Sequence, residues 1–182
     1  MNPLVLLAKQ AVENYIKEGK VIFPAENLSR RAGVFVTIEN QGQLRGCIGT
    51  YLPTKENIAE EIIHNAIAAA TEDHRFGPIQ EQELSLLTYT VYILDEPEIV
   101  KDIKELNPKK YGIIIKSQGF TPGSDVIFNT APKSYQKTGL LLPDLDGVET
   151  PDQQLNIACQ KGGIDPTREE IVIYKFAVEK HQ

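Results

Sequence analysis

The stretch Gly33 to Thr50, GVFVTIENQGQLRGCIGT, constrains this chain more than any other. Val34, Val36 and Ile38 alternate with Phe35 and Thr37, the period of a half-buried strand. NQGQ then supplies a turn, and Leu44 to Thr50 returns as a second strand. A hairpin of this kind commits part of the chain to an antiparallel or mixed sheet. Three further segments extend the prediction. Leu86 to Leu94, LLTYTVYIL, is rich in β-branched and aromatic residues. Tyr111 to Ser117 reads as a strand, and Glu170 to Lys180, EIVIYKFAVEK, as one strand with clean alternation. QGFTPGSD is a loop and VIFNT, 126–130, a short strand. GLLLPD, Gly139 to Asp144, is apolar and broken by Pro143.

Three segments carry helical spacing. Asn2 caps the first, Pro3 suits its first turn and Gly19 stops it. Its buried face is Leu4, Leu7, Ala8, Ala11, Val12, Tyr15 and Ile16. Thr54 to Ala70 is the second. Its run NAIAAA is small enough to approach a neighbouring element closely, and TEDHRFGP ends it. Thr150 to Lys161 is the third, opened by a Thr150–Gln153 capping box and closed by Gly162 and Gly163. KDIKELNP adds a short helical turn. Strands and helices mix without strict βαβ alternation, which predicts an α+β fold with flanking helices on a mixed or antiparallel sheet.

The 182 residues suit one domain, 1–182, large enough to hold a core without metal or disulfide. The formal net charge of −6 and pI near 5.2 come with no basic stripe, which argues against a nucleic-acid binder. Cys47 and Cys159 are isolated in sequence, without C-x-x-C spacing, so no metal site is expected and a reducing cytoplasm fits them. MNPLVLLAKQAVENYIKEG turns polar within ten residues, unlike a secretory leader, and no apolar run has the length of a membrane span.

The chemistry concentrates in two places. On a strand from Leu44 to Thr50, alternation puts Leu44 and Ile48 on one face, with Gly46 between them. Arg45, Cys47 and Gly49 share the other. Arg45 beside Cys47 would favour a thiolate. The glycines leave backbone bare for a close neighbour or ligand. A buried structural cysteine fits the same pattern. The second place is EDHRF, Glu72 to Phe76, where Asp73 and Arg75 can pair with each other or meet a ligand, and His74 is a candidate base. Asp144, Asp146 and Glu149 read as a solvated acidic loop, and Lys161 as a cation at a helix C-terminus.

In order and spacing, LRGCIGT, NAIAAATEDHRFGPI, Glu83-Leu84, GLLLP and ACQKGGI resemble the AMMECR domain family, whose bacterial and archaeal members are called AmmeMemoRadiSam system protein A. The resemblance spans nearly the whole chain. It implies an α+β domain with a large and a small lobe, and company with a Memo-like protein and a radical SAM protein. It also implies functional weight for Arg45, Gly46, Cys47 and Gly49, and for Asp73, Arg75, Phe76 and Pro78. Asn65, Glu83 and Lys161 match the family pattern too. No biochemical activity or cofactor follows from it. The chain departs from the pattern in having no Trp near the last helix, in Gly162 where relatives often have Ala, and in a longer approach to GLLLP. Two functions remain open from sequence. One is a small-ligand or partner-binding module around the LRGCIG strand. The other is an enzyme or enzyme subunit in which Cys47 is a reactive thiol, with Arg45 as its electrostatic partner and Asp73 or His74 as proton handlers.

Overall fold

A computed structural model describes residues 2–24, 29–118 and 137–182. The loop and short strand expected between residues 119 and 130 lie outside the described residues. The chain divides into two compact units. The first comprises residues 1–96 with 178–182, and the second is the intervening 97–177. Both are α+β, and every strand pairing is antiparallel.

The first unit opens with α1, Pro3–Glu18. Asn2 accepts the Leu4 amide at its start, and Gly19 closes it in the left-handed region that glycine tolerates. The hairpin follows as β1, Val34–Asn40, and β2, Gln43–Thr50. Its two central residues, Gln41 and Gly42, both have positive φ (52° and 77°), the geometry that matches strand twist in a two-residue turn. Next come α2, Ile58–Thr71, and β3, Leu87–Leu94. The helix starts later than its spacing predicts. Asn57 caps it through the Glu60 amide, while the amides of Thr54 and Lys55 donate to the Glu61 carboxylate outside the helix.

The second unit contains β4, Glu98–Ile99; β5, Gly112–Gln118; and β6, Thr138–Leu141. It continues with α3, Pro151–Gly162, and β7, Glu170–Phe176. The expected Thr150–Gln153 capping box is present. The segment expected as one final strand is two. Beyond Ala177 the chain returns to the first unit as β8, Val178–His181. Alternation runs through the break, so the pattern cannot betray it. Among the described residues the strands form two four-stranded antiparallel sheets, ordered β2-β1-β3-β8 and β4-β7-β5-β6, in keeping with the expected α+β class.

Each sheet buries one face under helix. In the first unit Val34, Val36, Ile38, Val91 and Ile93 meet Ala8, Val12, Ile62 and Ala66. The NAIAAA run has the close approach that its size predicts. A Cβ added to Gly46 would lie 2.1 Å from the carbonyl oxygen of Ala69, so only glycine lets β2 touch α2. The second unit repeats the device. A Cβ on Gly139 of β6 would lie 2.0 Å from the Ala158 carbonyl oxygen of α3. Its core is Leu106, Ile113, Ile115, Leu141, Ala158 and Cys159 with neighbours. No described helix is long and apolar enough to cross a membrane.

Candidate functional site

The hairpin turn sets the first rungs of the ladder, with Asn40 opposite Gln43 and Glu39 opposite Leu44. Continued unbroken, that register would place Cys47 opposite Val36 and turn it into the core. Instead the register shifts by one residue between Ile38 and Glu39, leaving Arg45 without an opposite number. This is a β-bulge, and such a slip exchanges the two faces for everything beyond it. Cys47 comes to lie opposite Thr37 and points away from α2. Leu44 does not share the Ile48 face as alternation predicts. It pairs with outward-facing Glu39 and is exposed.

Asp73 organises the surroundings of the thiol. One carboxylate oxygen accepts the Cys47 backbone amide at 2.9 Å. The same carboxylate takes a two-pronged hydrogen bond from Arg75, Nε at 2.9 Å and Nη2 at 2.6 Å, and also the Arg75 backbone amide. Its side chain is 5% exposed, while that of Arg75 is 50% exposed. The guanidinium lies 5.5 Å from the Phe76 ring centroid. Arg75's hydrogen bonds hold the Asp73 carboxyl far below the usual carboxylate range, against the cost of burial. Through these bonds Asp73 positions the Cys47 amide and the Arg75 guanidinium relative to each other. The Thr37 hydroxyl donates to Cys47 Sγ at 3.3 Å.

The expected Arg45–Cys47 partnership is replaced by another. Arg45 turns to Glu83, bonding it through Nε at 2.7 Å and Nη2 at 2.9 Å, and gives Nη1 to the Gly77 carbonyl. Arg45's hydrogen bonds push Glu83 down to about 2. Arg75 is a cation that acts on the thiol. Its guanidinium is held protonated by Asp73 first and, more weakly, by the negative charge of a Cys47 thiolate.

The other expected site residues fall out as follows. Gly46 faces α2 as a packing residue, whereas Gly49 lies on the Cys47 face with the Phe35 ring filling the place of its Cβ. Asn65 is 1% exposed, and its amide donates to the Val34 carbonyl at 2.9 Å. It fastens helix to sheet in the core and lines no groove. His74 is exposed and makes no hydrogen bond among the described residues, while Pro78 is exposed in the same turn. Lys161 lies exposed near the end of α3 in the second unit, whereas the other candidates belong to the first. The acidic loop carries Lys109 between Asp144, at 3.8 Å, and Glu149, at 3.0 Å. Among the described residues no group of three or more His, Cys, Asp or Glu converges.

Two features went unread in the sequence. Across the sheet, Cys47, Thr37 and Thr90 form one row, and Gly49, Phe35, Tyr92 and Lys180 the next. Lys180 Nζ stands 5.9 Å from the Tyr92 ring centroid. The second feature is Glu61, fully buried on α2. Burial alone would raise its pKa. Hydrogen bonds from the Thr50 hydroxyl, the Lys55 amide, and the Thr54 hydroxyl and amide outweigh that and lower it. Glu61 thereby pins the segment that leaves β2. A glutamate on the apolar face of α2 was the available signal.

Residues 5–181 match the AMMECR1 family model. A Thermotoga maritima protein is 46% identical over the whole chain and 98% of its own length. A Clostridium acetobutylicum protein is 41% identical over the whole chain, which spans only 36% of that longer relative. The crystal structure of an uncharacterised protein, PH0010 from Pyrococcus horikoshii, has a TM-score of 0.81 at 30% identity, covering 97% of this chain and 88% of its own.

Proposed function

The chain belongs to the AMMECR1 family, and we propose that it is a cytoplasmic binding or regulatory module whose ligand or partner meets the outer face of β2 around Cys47 and Arg75. The observation that carries this reading is the Asp73 carboxylate, which ties the Cys47 amide to the Arg75 guanidinium. A nearly buried acid that fixes a half-exposed arginine beside a thiol is preorganisation for contact, and core packing does not require it. Gly49 shares that face and Phe76 lies alongside Arg75, while Pro78 joins the proposal through the family pattern and Glu83 as the partner that holds Arg45. Lys161 belongs to the proposal through the family pattern alone. The partners proposed are a Memo-like protein and a radical SAM protein. A relative in which a matching domain makes up 36% of a longer chain supports work alongside other protein domains.

Isolation of the tagged protein from its native host, followed by mass spectrometry of what accompanies it, tests the proposal. A metabolite or partner retained by the wild type and lost from Cys47→Ser and Arg75→Gln is expected. Retention by both variants would sink it.

A second reading, an enzyme or enzyme subunit with Cys47 as nucleophile, is favoured by the Thr37 hydroxyl on Sγ and by Arg75 nearby. A hydrogen bond and a cation both stabilise a thiolate. Alkylation rates measured against pH decide it. A thiol inert up to about pH 9 is no nucleophile.

A further inference from the structure

We propose that the ligand taken at this site carries an oxyanion, a carboxylate or a phosphate, and that the outer edge of Arg75 recognises it beside Cys47. The inference rests on the ligand-site reading above and adds the chemistry of the ligand.

The structure holds two arginine–carboxylate pairs close to one motif, and their difference carries the argument. Arg45 is closed. Nε and Nη2 bond Glu83, Nη1 bonds the Gly77 carbonyl, and the side chain is 18% exposed. Arg75 is open. Nε and Nη2 bond Asp73, Nη1 makes no hydrogen bond among the described residues, and the side chain is 50% exposed. One edge of this guanidinium is therefore fixed and the other is presented.

The fixing is thorough. Asp73 is held by the Cys47 amide and by the Arg75 amide as well as by the guanidinium. The Phe76 ring lies alongside Arg75. An arginine on the surface ordinarily loses rotamer freedom when it binds. Here much of that loss has occurred on folding, which favours the bound state. What a guanidinium edge recognises best is the planar or tetrahedral oxyanion, whose oxygens match its fork. Asp73 cancels the net charge of Arg75, so the pair attracts anions by directed N–H donors more than by long-range field. That suits a small ligand bearing one anionic group, with its adjoining atoms near the sulfur.

Two alkylating reagents that differ only by a carboxylate test this directly. Iodoacetate and iodoacetamide both transfer a two-carbon unit to the thiolate with loss of iodide, and only the first carries an anion. Labelling of Cys47 is followed peptide by peptide, with buried Cys159 as the internal reference. The iodoacetate-to-iodoacetamide rate ratio in wild type should exceed that in Arg75→Gln by about two- to fivefold, the weight of a part-exposed ionic contact. At constant ionic strength, succinate or inorganic phosphate should slow iodoacetamide labelling of the wild type saturably and leave Arg75→Gln unaffected. Whichever of the two protects identifies the oxyanion.

Arg75→Lys, which keeps the charge without the fork, serves if the glutamine variant does not fold. It should retain part of the iodoacetate preference and lose the saturable protection. An unchanged ratio in the variants, protection that survives them, or a Cys47 that neither reagent labels would overturn the inference. The broader reading is separable from it. A neutral metabolite or a partner protein lost from the native isolate on Arg75→Gln would uphold a binding face and overturn the oxyanion.

Discussion

Cys47 stands opposite Thr37, with the Thr37 hydroxyl 3.3 Å from its sulfur, because one residue between them and the turn is out of register. That residue is Arg45. Were Arg45 paired with Ile38 instead of bulged, the turn's own register would carry Cys47 to Val36, a position with no solvent exposure. Deletion of Arg45 removes the extra residue and leaves Gly46 opposite Ile38 and Cys47 opposite Thr37, so iodoacetamide labelling of Cys47 should stay within about twofold of wild type. A folded deletion variant whose Cys47 labels at least about tenfold more slowly would show that the strand re-registers and that the Thr37 pairing depends on Arg45 itself.

The Arg45–Glu83 pair gives a defined pH signature. Glu83 has its pKa lowered from 4.5 to about 2, so it stabilises the fold above the ordinary glutamate value. That contribution is lost as pH falls from about 4.5 toward 2. Glu83→Gln should melt earlier than wild type near neutrality by about 1–2 kcal/mol, a modest figure because the pair is near solvent. The gap should close on acidification through that window. A gap independent of pH would place the effect in packing.

Gly46 and Gly77 form a matched pair of probes. Gly46→Ala pushes a methyl against the Ala69 carbonyl and should cost about 3 kcal/mol or more in a denaturant melt. Gly77→Ala meets nothing within 4 Å and should stay within about 0.5 kcal/mol of wild type. Equal costs would mean that α2 can back away from β2.

Asp73→Asn removes a negative charge beside the thiol while keeping an acceptor for one amide. Thiolate should then be favoured, and Cys47 alkylation near pH 7 should quicken by about three- to tenfold. Slower alkylation would mean that the carboxylate's main effect on the thiol is structural, through the Cys47 amide.

What the sequence discloses here follows from how local the cause is. Asn2, Gly19 and the Thr150–Gln153 box are read from neighbouring residues and stand where expected. The Gln41–Gly42 turn is equally local. Asp73 with Arg75 is a pairing two residues apart, and it forms. Arg45 with Glu83 spans 38 residues and has no local signature. The bulge is illegible for the same reason, since strict alternation describes both registers equally well. Glu61 was visible as a charge on an apolar helix face, yet its partners Thr50 and Thr54 belong to a segment that alternation assigns to strand end and helix start.

The second unit enters after β3 and leaves into β8, and Leu94 pairs directly with Val178 across that junction. In synthesis this means that the first unit is born incomplete. The outer edge of β3 waits until β8, Val178–His181, has been made. At ~5–20 residues per second, that edge stays uncovered for roughly 4–17 s after β3 emerges. An uncovered edge strand is a template for pairing with another chain. A chain ended at Ala177 should make that interval permanent, and light scattering should report its aggregation at concentrations where the full chain stays clear.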